Sequence, residues 1–600
     1  MRARDEILLA LGIVLFLSLK IPLLFPPFIG EFEPAFQEMI ALHHLENGMV
    51  ANRFLSVIAE IDGEKFYHTA HPPLLHIIYA SLYKIFGVKE AVSRICSLVL
   101  FLFSIFLFSR LIAREKRAVF IVLSLFFPAG FRLALTTNYE LLSLFSISLF
   151  LFLYFRSEEK ESGRINPVLY FSFLLGLLSD WTFYLLIPSL IILRWKKKKS
   201  RGRLFWFLFF ELSFFVILVL YQFLITGESS VLFHSRTRSN PLYLFTFSTY
   251  QEFYHHLTGI IGLPCLILLI ISWGKILGER VRKKLKPEPL LWLWLIYLVL
   301  LWLTAGQLVS RHYVYLLYLF PFFALSLSEM IFLLRFQRLG LVLILMSFFL
   351  PDYLGIIHKD ARSYYLAEKI KNLTGVKTCF SSSALGSLYF YDKIETVVPV
   401  SKKTAQALSK IDFDLLVFDR KSPEVKELEK ALAQKEERYT LLYKFPDLAI
   451  YLKKSLKPDF EYLALELGEI SGKWWEPVPE VIWTDNQAYY GIKQPSGAGG
   501  ISRLKFKCRG EGLSFLPALG NFYLNQKSDG VEFIILGYSE QGKALAYYRF
   551  LKTGLGAGQM ISIQEYNFLD LIISSGPRGD YAWDDAFWLE TKFLKTREQK

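Results

Sequence analysis

A succession of apolar runs separated by short basic loops constrains this chain more than any other feature. A helix crosses about 30 Å of hydrocarbon in roughly twenty residues. Runs near that length occupy residues 7–29, 91–112, 118–135, 141–155, 204–225, 260–276, 290–307, 313–334 and 339–354. Two shorter halves, 168–179 and 181–193, meet at Asp180. An unpaired carboxylate at mid-bilayer is costly, so Asp180 is expected at a turn on the outer surface, joining a hairpin of short helices. With 53% hydrophobic and 16% aromatic residues over 600 positions, the chain is a polytopic membrane protein with a soluble part attached.

The net charge of +14 would suit nucleic acid if it formed a single patch. Instead the basic residues fall in short runs between apolar segments, as cytoplasmic loops do, and no nucleic-acid partner is expected. The segment 72–86 decides the topology. As a helix it is about 22 Å long, short for a span. Placed at the outer interface, it leaves Arg110/Arg114/Lys116/Arg117, Arg156/Lys160/Arg164, the cluster from Arg194 to Arg203, the cluster from Arg280 to Lys286, and Arg335/Arg338 on the N-terminal side. Counted as a crossing, it would send them all outside, against the positive-inside rule. The expectation is an α-helical membrane domain of about eleven spans, with a cytoplasmic N-terminus in the plasma membrane and an extracytoplasmic C-terminal third. The first run lacks a small-residue cleavage site, so it reads as an uncleaved span. Cys96, Cys265, Cys379 and Cys508 are too scattered for a metal framework.

The pattern changes after about residue 355. Residues 360–455 alternate helical stretches (364–373, 424–435) with buried-strand stretches (415–418, 449–452), which predicts a small α/β domain. Residues 456–600 carry short aromatic strands such as 531–536 and 544–550 between Gly, Asn and Asp turns, which predicts a β-sandwich.

Four polar motifs sit at the expected outer ends of the spans. Glu31-Phe32-Glu33 follows the first span, His71-Pro72-Pro73-Leu74 closes the same loop, Thr136-Thr137-Asn138-Tyr139-Glu140 occupies the next, and Arg311-His312-Tyr313 opens a late span containing Pro321. An acidic pair after the first crossing and a His-Pro-Pro-Leu before the next resemble the lipid-linked-sugar glycosyltransferases of the GT-C class. The likeness is greatest to the branch holding protein O-mannosyltransferases and the aminoarabinose transferases of lipid A. It covers roughly residues 1–354.

That resemblance implies transfer of a sugar from a polyprenyl-phosphate donor to a glycan, lipid or protein acceptor outside the membrane, with inversion at the anomeric centre. Glu33 or Glu31 would take the acceptor proton; Glu33 is favoured because Glu33-Pro34-Ala35-Phe36 and then Glu38 match the family's acidic, aromatic, acidic rhythm. Glu140 would assist. His71, Arg311, His312 and Tyr313, with Arg236 from the outer loop 226–258, would hold the lipid phosphate, because a planar guanidinium donates two hydrogen bonds to phosphate at once. His68 is a weaker candidate. Each motif also has a plainer reading: Pro-Pro starts a helix, Glu at a helix start meets a favourable dipole, and Arg snorkels at a membrane surface. His234, Arg238, His255 and His256 share the outer loop without the spacing of a zinc cage. No cofactor is fixed by the sequence, and a divalent metal is left open: Glu140 would either face the acceptor side or bind a metal beside the first motif, and a metal is usual in the first alternative, an oligosaccharyltransferase or ligase moving a whole glycan. The second alternative is a transporter or sensor that kept the scaffold without chemistry.

In the last domain, Asp529-Gly530-Val531 and Asp584-Asp585-Ala586-Phe587-Trp588 resemble strand edges of jelly-roll carbohydrate-binding modules, where surface aromatics stack on sugars. Trp474-Trp475 is followed by Glu-Pro and so departs from the oligosaccharyltransferase Trp-Trp-Asp signature.

Overall fold

The computed structural model describes residues 2–24, 32–61, 63–159, 167–227, 247–260, 289–311 and 313–334, with a few positions between 267 and 278. In the C-terminal third it describes 376–381, 395–397, 413–419, 439–444, 448–456, 460–462, 478–484, 487–495, 501–508, 511–519, 531–551, 556–575 and 585–594. The chain divides into two compact units, one containing Glu33–Lys359 and the other Asp360–Lys600.

The first unit is helical. It runs α1 (Arg2–Lys20), α2 (Phe32–Asn47), a hairpin of β1 (Ser56–Ile61) and β2 (Glu64–His68), α3 (Leu74–Phe86), α4 (Glu90–Arg110), α5 (Arg117–Leu125), α6 (Pro128–Leu133), α7 (Tyr139–Glu159) and α8 (Pro167–Ser179). A 3-10 turn at Trp181–Leu185 leads into α9 (Leu186–Arg194), followed by α10 (Lys198–Thr226), α11 (Phe247–Ile260) and α12 (Pro289–Arg311). A second 3-10 turn at Tyr313–Tyr318 precedes α13 (Leu319–Leu334).

Among the described residues five helices are long and apolar enough to cross a membrane: Glu90–Arg110, Tyr139–Glu158, Arg201–Thr226, Pro289–Gly306 and Val314–Ile331. Their surroundings differ. Val314–Ile331 is 94% buried within the protein, whereas Arg201–Thr226 is 22% buried. On α10, Trp206, Phe209 and Leu224 point outward, an arrangement that costs free energy in water and none in lipid. The first unit is therefore an integral membrane domain with α13 near its centre and α10 on its rim.

The run 118–135 does not form the single span expected of it. It breaks into α5 and α6 at Pro128, whose missing N–H and fixed φ start a new helix rather than continue the old one. The expected span 339–354 and most of 260–276 lie outside the described residues. The two halves around Asp180 are separate short helices, as their length suggested. Gly176 lets them meet, since a Cβ there would stand 2.1 Å from the Phe183 ring. α4 packs on α7, α7 on α8, α12 on α9, and both α1 and α13 on α5. Phe101, Phe108, Phe127, Phe150, Trp294 and Phe320 fill the space between them.

Among the described residues the second unit contains three sheets. Strands β3 (Thr378–Ser381), β4 (Glu395–Val397), β5 (Leu415–Asp419), β6 (Tyr439–Lys444) and β7 (Leu448–Lys453) form one in the order β4-β3-β5-β7-β6, parallel at β4-β3-β5 and antiparallel beyond. The strands expected at 415–418 and 449–452 lie in it; the helices expected at 364–373 and 424–435 fall outside the described residues.

The remaining strands are β8 (Phe460–Tyr462), β9 (Val478–Thr484), β10 (Gln487–Pro495), β11 (Ile501–Lys507), β12 (Gly512–Leu519), β13 (Val531–Ser539), β14 (Gly542–Leu551), β15 (Gln559–Ser562), β16 (Phe568–Ser575) and β17 (Asp585–Leu594). They make two antiparallel sheets, β15-β12-β17-β10-β9 with β8 on β17, and β11-β16-β13-β14. Alternate residues Val531, Phe533 and Ile535 of β13 face inward, as the period of two requires. Phe533 meets Trp588 edge to face at 5.0 Å, and Phe515 meets Tyr547 at 4.7 Å, so the sheets are stacked face to face. Trp588 is fully buried and is a core residue, not the surface platform for a sugar that its sequence context resembled. Asp529, Gly530, Asp584 and Trp474-Trp475 lie outside the described residues.

Candidate functional site

The loop between β2 and α3 carries His71, and two separate segments, the Asp180–Trp181 turn and the start of α7, converge on it. Its Nδ1 lies 2.8 Å from Asp180 Oδ1. Its ring stacks on Tyr139 with centroids 4.1 Å apart and planes 14° apart. The loop is pinned from behind by Trp181, whose indole N–H donates to the Ala70 carbonyl. His71 remains partly exposed at 21%, while the Asp180 side chain behind it is 2% exposed. This is the geometry of an imidazole held at a rim by a buried carboxylate. With Nδ1–H donating to Asp180, Nε2 is left available for something outside.

Asp180 itself caps the 3-10 turn, accepting at Oδ2 from the Thr182 amide at 3.3 Å and from Thr182 Oγ1 at 2.5 Å. It does lie at a turn, but it is buried rather than on the outer surface: the His71 contact and the Thr182 bonds replace water. Burial pushes its pKa up, and the His71 and Thr182 interactions outweigh that and hold it below the usual carboxylate value. Thr182 joins further segments. Its Oγ1 lies 2.6 Å from Tyr318 Oη and 2.9 Å from Ser143 Oγ, and its carbonyl accepts from Tyr297 Oη at 3.1 Å. Since the Thr182 hydroxyl proton goes to Asp180, Tyr318 donates to Thr182.

Behind His71 lies a layer of neutral hydrogen bonds. His76, on α3, places Nδ1 2.6 Å from Ser56 Oγ and Nε2 2.6 Å from Gln37 Oε1. With Gln37 presenting its oxygen, Nε2 carries the proton and Nδ1 accepts from Ser56. Burial, followed by the neighbouring His44, His68 and His71, holds the His76 pKa well below its usual value. His44 is likewise pushed down by burial, to about 4. Tyr139 Oη stands 3.0 Å from His76 Nε2, so this one tyrosine contacts two histidines. His68 is buried, with its ring edge-on to Phe36 at 5.2 Å.

Glu38, one turn and a half into α2, is also buried. Its Oε1 accepts from Ser93 Oγ at 2.6 Å and from Thr137 Oγ1 at 3.0 Å, linking α2 to α4 and to the loop before α7. Burial raises its pKa to about 7, against the lowering effects of Ser93, Thr137, Arg94 and Tyr83. Glu140 occupies the first turn of α7, buried, and the preceding Asn138 side chain accepts from the Leu141 amide at 2.8 Å and fixes that helix start.

Of the residues singled out by sequence, the structure thus brings His71 together with the Thr136–Glu140 motif. Glu33 lies in the first turn of α2, Arg311 ends α12 and Tyr313 begins the following 3-10 turn. Glu31, Arg236 and His312 lie outside the described residues, as do the side chains of Glu33, Arg311 and Tyr313. Sequence reasoning missed the roles of Gln37, Ser56, His76, Tyr139, Thr182 and Tyr318. The one available signal was Asp180, a carboxylate between two apolar halves that had to find a partner. Among the described residues no group of three or more His, Cys, Asp and Glu side chains is spaced to hold a metal ion.

No family model matches the chain, and no curated protein matches it in sequence. Solved structures similar to it include ArnT from Cupriavidus metallidurans bound to undecaprenyl phosphate, at a TM-score of 0.46 and 14% identity over 74% of this chain and 99% of that one. The apo form of the same protein gives 0.36 and 12% over 74% and 98%. The Archaeoglobus fulgidus oligosaccharyltransferase tethered to an acceptor peptide gives 0.48 and 9% over 99% and 98%. The similarity stays below a TM-score of 0.5 and at 9–14% identity throughout. At identities this low it carries no chemistry to this chain, whose site is read from its own residues.

Proposed function

We propose that this protein is a membrane glycosyltransferase that moves a sugar from a polyprenyl-phosphate donor to an acceptor hydroxyl on the extracytoplasmic side. The observation that carries the proposal is the His71–Asp180 pair. A rim imidazole, backed by a buried carboxylate and flattened against Tyr139, stands at one end of an apolar bundle whose helices end in basic residues at the other. The positive-inside rule then puts the basic ends in the cytoplasm and the His71 end outside.

In this reading the acceptor oxygen attacks the anomeric carbon as a carboxylate of the α2 start, Glu33 or Glu31, takes its proton. The bond from that carbon to the phosphate oxygen breaks, and the polyprenyl phosphate departs with the electron pair, inverting the anomeric centre. A phosphate leaves as a stabilised anion, so the site needs cations and donors near it more than a strong acid. His71 Nε2 supplies one donor, and Arg311 with His312 supplies others. Asp180 accepts from Nδ1 and so holds the His71 ring in one orientation toward the arriving phosphate. Glu140 supports the acceptor side.

Incubating the purified full chain with a panel of polyprenyl-phosphate sugars and an acceptor mixture tests this directly. Release of polyprenyl phosphate is expected from at least one donor, and His71→Ala should weaken donor binding because the phosphate contact exists in the ground state too. Donor left intact across the panel, with the protein folded, would leave a binding or transport scaffold as the better reading.

A further inference from the structure

The helices that build the His71 site carry a second cluster at their other ends. α4 brings Ser93 to the first site and ends at Arg110; α7 brings Tyr139 and Glu140 and carries Arg156 in its last turn; α9 follows Asp180 and ends at Arg194. From Ser93 to Arg110, or from Glu140 to Arg156, a helix rises roughly 25 Å, close to the thickness of the hydrocarbon layer. The second cluster therefore belongs to the opposite face of the membrane.

Together with Arg117, the first residue of α5, these arginines line a cavity of about 400 Å³ whose apolar wall includes Phe152 and Phe155. Against the four guanidiniums stand two described carboxylates: Glu158, 3.2 Å from Arg194, and Glu115, whose charge acts on Arg117 without forming an ion pair. Among the described residues Arg110, Arg117 and Arg156 form no ion pair. Arg156 and Arg194 lie over the rings of Phe152 and Phe155 at 5.8 and 5.2 Å, and Arg117 spends its Nε on the Ile112 carbonyl at 3.0 Å.

Two simpler explanations fall short. Cations at helix C-termini complement the dipole, which accounts for Arg110, Arg156 and Arg194. Arg117 opens a helix, where the dipole disfavours it. The positive-inside rule accounts for basic residues in loops, but it asks for no cavity and no convergence. Moreover, Arg194 Nε is buried without a hydrogen-bond partner among the described residues, a donor whose desolvation is uncompensated until an acceptor arrives.

We propose that this cavity binds a phosphate-bearing anion, a monoester or diphosphate, with the phosphate among the guanidiniums and any apolar portion against Phe152 and Phe155. Phosphate offers several oxygens to several forked donors at once, which one carboxylate does not. The same chemistry is carried by a free phosphate compound or by a lipid headgroup in that leaflet. The proposal does not depend on the reaction assigned to the His71 end.

The test uses the full chain and the variants Arg110→Gln, Arg156→Gln and the pair. In detergent, inorganic phosphate and pyrophosphate are titrated against chloride at matched ionic strength, with melting temperature as the readout. In nanodiscs, phosphatidylcholine bilayers are compared with and without phosphatidic acid by the same readout. Saturable stabilisation by phosphate or pyrophosphate, weakened about tenfold per guanidinium removed, supports a soluble ligand. Stabilisation only by phosphatidic acid, lost in the same variants, supports a lipid headgroup. Each variant's melting temperature without ligand shows whether it folds, and if the pair does not, the single variants decide. Equal response of wild type and folded variants to every anion overturns the proposal.

Discussion

At the His71 end of α4, α7 and α9 buried polar side chains pair with one another across the chain, with Glu38 Oε2 and the His44 ring nitrogens left without a hydrogen-bond partner among the described residues, whereas at the Arg156 end of the same helices the charged groups outnumber their partners. Asp180 is matched by His71 and Thr182, Glu38 by Ser93 and Thr137, and His76 by Ser56 and Gln37. Of the four arginines lining the cavity, only Arg194 has a carboxylate, Glu158, in ion-pair contact among the described residues. The difference follows from what each end is suited to do. Holding reacting atoms to a fraction of an ångström needs a preorganised network whose members fix each other's rotamers. Gathering an anion from a membrane surface needs only unspent positive charge within reach. A network of the first kind fails when one member is removed, and a cluster of the second kind loses affinity stepwise.

The comparison breaks outright if the two ends face the same side. In a background lacking the native cysteines, a cysteine at exposed Val50, in the loop after α2, should react with a membrane-impermeant thiol reagent on intact cells. One at exposed Lys197, beside Arg194, should react only after permeabilisation. Labelling of both from outside would remove the basis for placing chemistry and anion capture on different faces.

The next largest effect is expected at Asp180. Asp180→Asn keeps the shape and removes the charge that orients His71, so turnover should fall by about 10²-fold or more, the scale on which positioned proton-transfer groups act. Near-native turnover in a folded Asp180→Asn protein would mean that the pair only braces the loop.

Glu38 offers a pH test. Its pKa of about 7 in the folded protein lies above its ordinary 4.5, so folding favours the protonated form. The resulting stability is complete below about pH 4.5 and declines as pH rises through 7, by about 3 kcal/mol in all. His44 works in the other direction: lowered from 6.5 to about 4, it costs stability as pH falls through that window. The difference between wild type and Glu38→Gln isolates the carboxylate. Wild-type melting temperature should drop relative to the variant between pH 5 and 8, both limits approximate. Parallel curves would show that Glu38 is ionised or solvated in the folded state.

The apolar runs made the membrane domain legible because burial in lipid is written into composition, and β13 and β14 were legible because short aromatic stretches stood between Gly, Asn and Asp turns. Positions 118–135 misled because hydropathy does not register the break that Pro128 imposes. His71 stood out by its prolines, and Glu140 by its place before a span. What remained hidden was pairing across the chain: His71 and Asp180 are more than a hundred residues apart, and neither carries a mark naming the other. Ser56 and Gln37 were invisible for the same reason, since a hydroxyl and an amide look alike on a surface and against a buried histidine.

Tyr139 carries the smallest expected effect and the sharpest distinction within the network. Its ring lies flat on His71 and its hydroxyl stands 3.0 Å from His76 Nε2. Tyr139→Phe keeps the first contact and deletes the second. Because His76 Nε2 still reaches Gln37 Oε1 at 2.6 Å, no buried donor is stranded, and the loss should be that of one ordinary hydrogen bond, about 1 kcal/mol or roughly fivefold in turnover. Tyr139→Leu removes the ring and frees His71 to rotate about its bond to Asp180, so it should cost more than Tyr139→Phe. Steady-state release of polyprenyl phosphate by the two variants orders the contacts. If Tyr139→Phe is the worse of the two, the hydroxyl rather than the stacked ring is what the site needs, and His76 stands closer to the reacting atoms than His71 does.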